Sequence, residues 1–285
     1  MADVAAHAAY LGWLGLDHAP EPTLETLRLL HARHLPRIPY ENLGIMLGRP
    51  PSVDPDDCVD RVGEVGRLGY CFHQNAAAEV LLRGLGYDVE RRHGQVWTGD
   101  SGPAADGDLN HLVLVVRIPG EGGRWWFDVG LGDGFAAPLE LIDGDVTDPA
   151  GFAYSLDEVV ADGWTFHHDP SGTFTGVLVT SRPSDGAAVA AAHRHLSTSP
   201  DSGFVRRFVA QRRDATAIDT VRGCLLTRTD PSTQTERELL TFDDWRAALV
   251  DVVGLPLDDV AQEDLRGLFD RMLTDHRAWV AAGRP

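Results

Sequence analysis

A chain of 285 residues, 43% hydrophobic and 24% charged, is long enough for two or three layers around a sizeable core and has an ordinary globular composition. Its formal charge of −18 argues against nucleic acid and anionic membrane surfaces as partners, because both demand a Lys/Arg-rich face. All 25 basic residues are arginine, which removes Schiff-base and other lysine-nucleophile chemistry.

The opening, MADVAAHAAYLGWLGLDHAPEP, lacks a basic head, and His, Asp and Pro interrupt its apolar residues. Neither a leader peptide nor a membrane span is expected there, nor is a span expected further on. Thr23 is placed to cap a helix whose apolar residues Leu24, Leu27, Leu29 and Leu30 suit one face. A Pro- and Gly-punctuated connector covers 37–51, and a short helix is expected over 54–65. From Cys71 the run CFHQNAAAEVLLRGLG reads as a helix burying Phe72, Ala76, Val80 and Leu81, with Gly86 as its stop.

After Tyr87 the character changes. Strands are expected near 88–97, 111–118 and 124–129, then around 164–168 and 174–180. TGDSGPAADGD (98–108) is a surface loop, and PGEGG joins HLVLVVRI to RWWFDV as an antiparallel hairpin. From about residue 200 the pattern mixes: VRRFVAQR, a strand at 221–228, and helices near 242–252 and 261–281. The sequence therefore reads as α+β, with a helical opening, a β-rich middle and an α/β close.

Three cysteines without a CxxC pair indicate neither a disulfide framework nor a cysteine zinc site, and fit a cytoplasmic protein with reduced thiols. Cys58 and Cys224 read as packing residues, in a helix and a strand respectively. Cys71 stands apart. At a helix start, the unpaired N–H groups and the positive end of the dipole both favour its thiolate, and its own amide can stabilise an oxyanion. The hairpin brings His111, at the start of one strand, and Asp128, near the end of the other, to the same end of the sheet. A thiol needs an imidazole to hold its proton, and the imidazole needs a carboxylate to fix its tautomer.

Four segments in order resemble the arylamine N-acetyltransferases: TLETLRLLHARHLPRIPYENLGIMLGRP; RLGYCFHQN; NHLVLVV with WFDVGLGDG; and SPDSGFVRRFVAQR. The resemblance implies a helical domain (1–92) carrying the nucleophile, a β-barrel-like domain (93–199) carrying His and Asp, and an α/β lid (200–285), around a cysteine-protease-like core. It implies ping-pong acetyl transfer from acetyl-CoA, through a Cys71 thioester, to a small aromatic amine or hydrazine, with Cys71, His111 and Asp128 as the catalytic triad. Acetyl-CoA or another acyl-CoA would serve as co-substrate, with no metal and no permanently bound cofactor. An amide synthase or specialised N-acyltransferase, taking a larger acyl-CoA or a carrier-protein thioester, is the alternative.

By the same resemblance Tyr40, Val96, Gly130, Leu131, Gly132 and Phe204 fall where substrate binds, while Glu41 and Arg67 are supporting residues that pair near the site. Three positions depart from the family pattern. Leu68 replaces a glycine, His73 replaces a glutamate two residues after the nucleophile, and Leu131 replaces a phenylalanine. His73 is grouped with the supporting residues. The pairs His31/His34, His167/His168 and His193/His195 lie in separate segments and make no recognisable zinc spacing. GLGDG is no dinucleotide fingerprint, and Arg206-Arg207 reads as a solvated face.

Overall fold

The computed structural model describes residues 4–104 and 107–284. Residues 1–3 of the opening segment, 105–106 of the surface loop and Pro285 lie outside the described residues. The chain opens with α1 (Val4–Trp13) and α2 (Leu24–His34), then a two-residue strand β1 (Tyr40–Glu41), α3 (Leu43–Met46), α4 (Pro55–Val65) and α5 (Cys71–Gly84). Thr23 caps α2 through its hydroxyl, and Asp54 caps α4 with Pro55 in the first turn. The buried face of α2 differs from its leucine pattern. Leu29 is exposed, while Thr26, His31 and His34 are buried beside Leu27 and Leu30.

Helix α5 is not amphipathic. Residues 71–79 are buried without interruption, including His73, Gln74, Asn75 and Glu79. A helix enclosed on all sides must give every polar side chain a partner, and those partners build the site described below. Its C-cap is Leu85, and Gly86 follows with φ +100°.

Eight strands form an antiparallel sheet: β2 (Asp88–Trp97), β3 (His111–Arg117), β4 (Trp125–Phe127), β5 (Leu139–Glu140), β6 (Gly144–Thr147), β7 (Ala153–Asp157), β8 (Trp164–His167) and β9 (Gly176–Thr180). Their order is β5-β4-β3-β2-β9-β8-β7-β6. Strand β2 runs across the 92/93 division drawn from the sequence. Period-2 alternation explains the unbroken apolar run of β3. Leu112, Leu114 and Val116 pack with the helices, and Val113 and Val115 pack with Trp126, Phe152, Trp164 and Phe166 on the other face.

The closing segment supplies α6 (Gly186–Thr198), α7 (Gly203–Arg206), β10 (Val209–Arg213), β11 (Ile218–Arg222), β12 (Leu225–Thr229), β13 (Gln234–Glu238), α8 (Phe242–Ala247), a π-helical turn (Ala248–Val252) and α9 (Gln262–Ala281). The second sheet has the order β1-β10-β11-β12-β13, so a strand from the helical opening is stitched to the closing segment. The single strand expected over 221–228 is instead a hairpin. Gly223, at φ +59°, turns the chain between β11 and β12. Cys224 therefore sits in the turn, although it is buried as expected. Among the described residues no helix is long and apolar enough to cross a membrane.

Candidate active site

Cys71 opens α5 and is 3% exposed. Tyr70, the extended residue before it, is fully buried and hydrogen-bonds His193 of α6 at 2.7 Å from Oη to Nδ1. A second buried chain holds the turn from beneath. Tyr10 Oη meets His34 Nδ1 at 2.7 Å, His34 Nε2 meets Gln74 Oε1 at 2.6 Å, and Gln74 Nε2 donates to the carbonyls of Gly69 and Pro39. Gly69, at φ +132°, is required here. A Cβ would lie 2.6 Å from His73 Nδ1.

The hairpin register pairs Leu114 with Phe127 and Val116 with Trp125, which sets Asp128 diagonally across from His111. His111 Nε2 lies 2.7 Å from Asp128 Oδ2, leaving Nδ1 as the ring nitrogen that faces Cys71. Burial opposes a charge on His111, but the Asp128 carboxylate and contact with Cys71 prevail and push its pKa up to about 10. A carboxylate with no exposed surface needs all its lone pairs met, and Asp128 has four donors. Trp126 Nε1 (3.0 Å) joins His111 on Oδ2, and Asn75 Nδ2 (2.8 Å) and the Gly130 amide (3.0 Å) meet Oδ1.

Asn75, one helical turn after Cys71, is a functional residue that sequence reasoning missed. Its amide nitrogen also donates to the Leu112 carbonyl at 2.6 Å, and its oxygen accepts from the Val129 amide at 3.1 Å. Its i,i+4 spacing from Cys71 in CFHQN was the available signal. Gly130 lets the β4 end abut α5, since a Cβ there would lie 2.8 Å from Cys71 Cα.

Cys71 and His111 open onto a cavity of about 290 Å³. Tyr40, Val96, Gly130, Leu131 and Phe204 line it, and Asn110, Thr173, Phe174, Leu196, Val209, Gln211 and Arg222 complete the wall. Gly132 does not line it. It sits behind the wall at φ +79°, where a Cβ would fall 2.2 Å from Gln211 Oε1. Asn110 is held rigid by paired bonds to the Val96 backbone (2.7 and 3.0 Å), and its carbonyl oxygen lies 3.6 Å from Cys71 Sγ.

The supporting residues lie outside the cavity wall. Arg67 and Glu41 approach only to 3.9 Å. The guanidinium of Arg67 engages both carboxylate oxygens of Asp259 and the Pro256 carbonyl instead, and Glu41 accepts from the Leu43 amide. Together they fasten the turn before Cys71 to the loop before α9. His73 is buried against Tyr70 and His193, with Nε2 3.2 Å from the Pro51 carbonyl oxygen. Burial, reinforced by His193, pushes its pKa down to about 3, so its ring is neutral packing.

A sequence model of the family described as N-acetyltransferase matches residues 23–262. The arylamine N-acetyltransferase of Mycolicibacterium smegmatis is 30% identical over 274 residues, covering 93% of this chain and 97% of that protein. The chain belongs to the arylamine N-acetyltransferase family. It is an acyltransferase of α+β fold. The solved structure of the M. smegmatis arylamine N-acetyltransferase superposes with a TM-score of 0.83 at 28% identity, covering 93% of this chain and 97% of that one. A Mycobacterium marinum arylamine N-acetyltransferase solved in complex with CoA gives 0.82 at 27%, covering 94% and 98%. These matches across most of the chain favour N-acetyl transfer over the amide-synthase alternative.

The buried histidines around this arylamine N-acetyltransferase-family site carry a consequence for acid stability. Burial pushes His31 down to about 4, and His34 and His73 to about 3. Depressed histidines contribute stability that is present above their unfolded value near 6.5 and lost as pH falls toward the folded values. Once the unfolded chain binds three more protons than the native one, the slope approaches about 4 kcal/mol per pH unit. His111, raised rather than lowered, contributes stability that is fully present below about 6.5, so its share does not fall as the pH drops. Urea midpoints measured from pH 7 to pH 4.5 should fall steeply below pH 6.5. A flat profile would show these rings to be solvated.

Proposed function

We propose that Cys71 carries the acyl group in a two-step transfer from acetyl-CoA to an aromatic amine or hydrazine. The observation that supports this best is the buried line from Asp128 through His111 to Cys71, opening onto a small, mostly apolar cavity. In the first step the Cys71 thiolate attacks the thioester carbon. The carbon–sulfur bond to CoA breaks, and the proton held on His111 passes to the departing sulfur. In the second step the amine nitrogen attacks the acyl carbon and yields its proton to His111, and the bond to Cys71 Sγ breaks to restore the ion pair.

The Cys71 amide, at the open end of α5, faces the developing oxyanion. Asp128 orients the imidazole and offsets its charge. Leu131, Phe204 and Val96 offer apolar contact to an aromatic ring.

Intact-protein mass after incubation with acetyl-CoA alone tests this reading. One added acetyl group, discharged when aniline is supplied, is the expected result. Absence of the adduct, or an adduct that aniline leaves in place, would overturn it.

A further inference from the structure

The cavity wall carries one formally charged side chain besides the histidine of the reaction centre. Arg222 closes strand β11, opposite Val209 of β10. Alternation puts Val209 and Gln211 on one face of β10 and their partners Arg222 and Thr220 on the same face of β11. Gln211 Nε2 donates to Thr220 Oγ1 at 3.2 Å, so a polar edge runs along this wall and ends at the guanidinium.

Three other arginines of this acidic chain are committed to carboxylates: Arg67 to Asp259, Arg213 to Asp148 and Arg228 to Asp219. Arg222 is exposed and has no hydrogen-bonded or ion-paired partner among the described residues. Its charge is felt by Tyr40, which also feels Cys71. An unclaimed planar cation on the wall of a reaction cavity matches a carboxylate, which it can meet with two parallel N–H donors.

We propose that Arg222 reads a carboxylate on the small amine acceptor, a subsite that rests on the acyl-transfer reading above. CoA is the weaker source of the anion. Its phosphates are separated from the thioester by the whole pantetheine arm, and they reach past a cavity of about 290 Å³ rather than into it. A dicarboxylic acyl group shares the chemistry and is the source to be separated by experiment.

The test compares kcat/KM for 4-aminobenzoate and its uncharged analogue 4-aminobenzamide, with acetyl-CoA as donor, in wild type, Arg222→Gln and Arg222→Lys. The acid-to-amide ratio should fall roughly tenfold in Arg222→Gln, mainly through KM for the acid, and recover in part in Arg222→Lys; tenfold is the scale of one partly solvated charge-assisted contact. An unchanged ratio would overturn the subsite. So would an effect that is absent with acetyl-CoA and emerges only when malonyl-CoA replaces it, since the cation would then read the donor. A wild type that acetylates neither amine, despite competent binding of acetyl-CoA, would instead sink the acyl-transfer reading and the subsite with it.

Discussion

Cys71→Ala should reduce acetyl transfer to background, on the order of 10⁶-fold below wild type, as removal of a nucleophile does in enzymes that work through a covalent intermediate. The fold should survive. Cys71 Sγ hydrogen-bonds the Asn110 carbonyl at 3.6 Å, and alanine suits the start of an Ala-rich helix. No other thiol can take over. Cys58 lies fully buried in α4, its thiol donating to the Ser52 carbonyl at 3.5 Å, and burial raises its pKa far above the ordinary thiol value. Cys224 is pushed up to about 11, also by burial. Neither lines the cavity. Cys58→Ala and Cys224→Ala should therefore retain turnover and lose only packing energy. Turnover surviving in Cys71→Ala would remove the covalent route, and mass spectrometry of the acetyl adduct in all three variants would locate the acceptor directly.

The hairpin that carries His111 and Asp128 was legible because its two strands are short, strongly apolar and joined by a glycine turn, so local sequence sets the register. The helix start at Cys71 was legible for a similar reason. Elements that lean on tertiary contact were not. Strand β6 exposes nearly all its residues, and its GDVT sequence has no apolar alternation to reveal it. Helix α6 is the exception: its cap Asp185 and its Ala-rich body are local helix signals, although no element is assigned to 186–198 above. Asn75 illustrates the same limit at the site. An asparagine inside a helix reads as a solvent-facing residue, and only the packing of β4 against α5 shows that it spans the Leu112 carbonyl, the Val129 amide and Asp128. Asp259 reaches Arg67 across 192 residues, a separation no local pattern encodes.

Asp128→Asn should cost about 10⁴-fold in the rate of acetyl transfer, the scale seen when a triad carboxylate becomes an amide, and the geometry explains why relaxation cannot rescue it. The wild-type carboxylate meets four donors and makes no donation of its own. An asparagine must turn its NH₂ toward one pair of them. Facing His111 and Trp126, it opposes the indole N–H and forces His111 Nε2 to accept; the ring proton then moves to Nδ1, where it can no longer take the thiol proton. Facing Asn75 and Gly130, it keeps the imidazole tautomer but sets the amide against the Gly130 N–H and against an Asn75 whose orientation is pinned by two backbone bonds. Either choice buries an opposed donor pair, at about 1–3 kcal/mol each, so the variant should also unfold at lower urea. The charge that holds His111 up to about 10 is lost with the carboxylate, and burial then drives the ring neutral. With the imidazolium gone the Cys71 thiolate loses its counterion, so alkylation of Cys71 by iodoacetamide at neutral pH should slow. A merely structural role for Asp128 would lower the urea midpoint and leave the rate of that alkylation where it was.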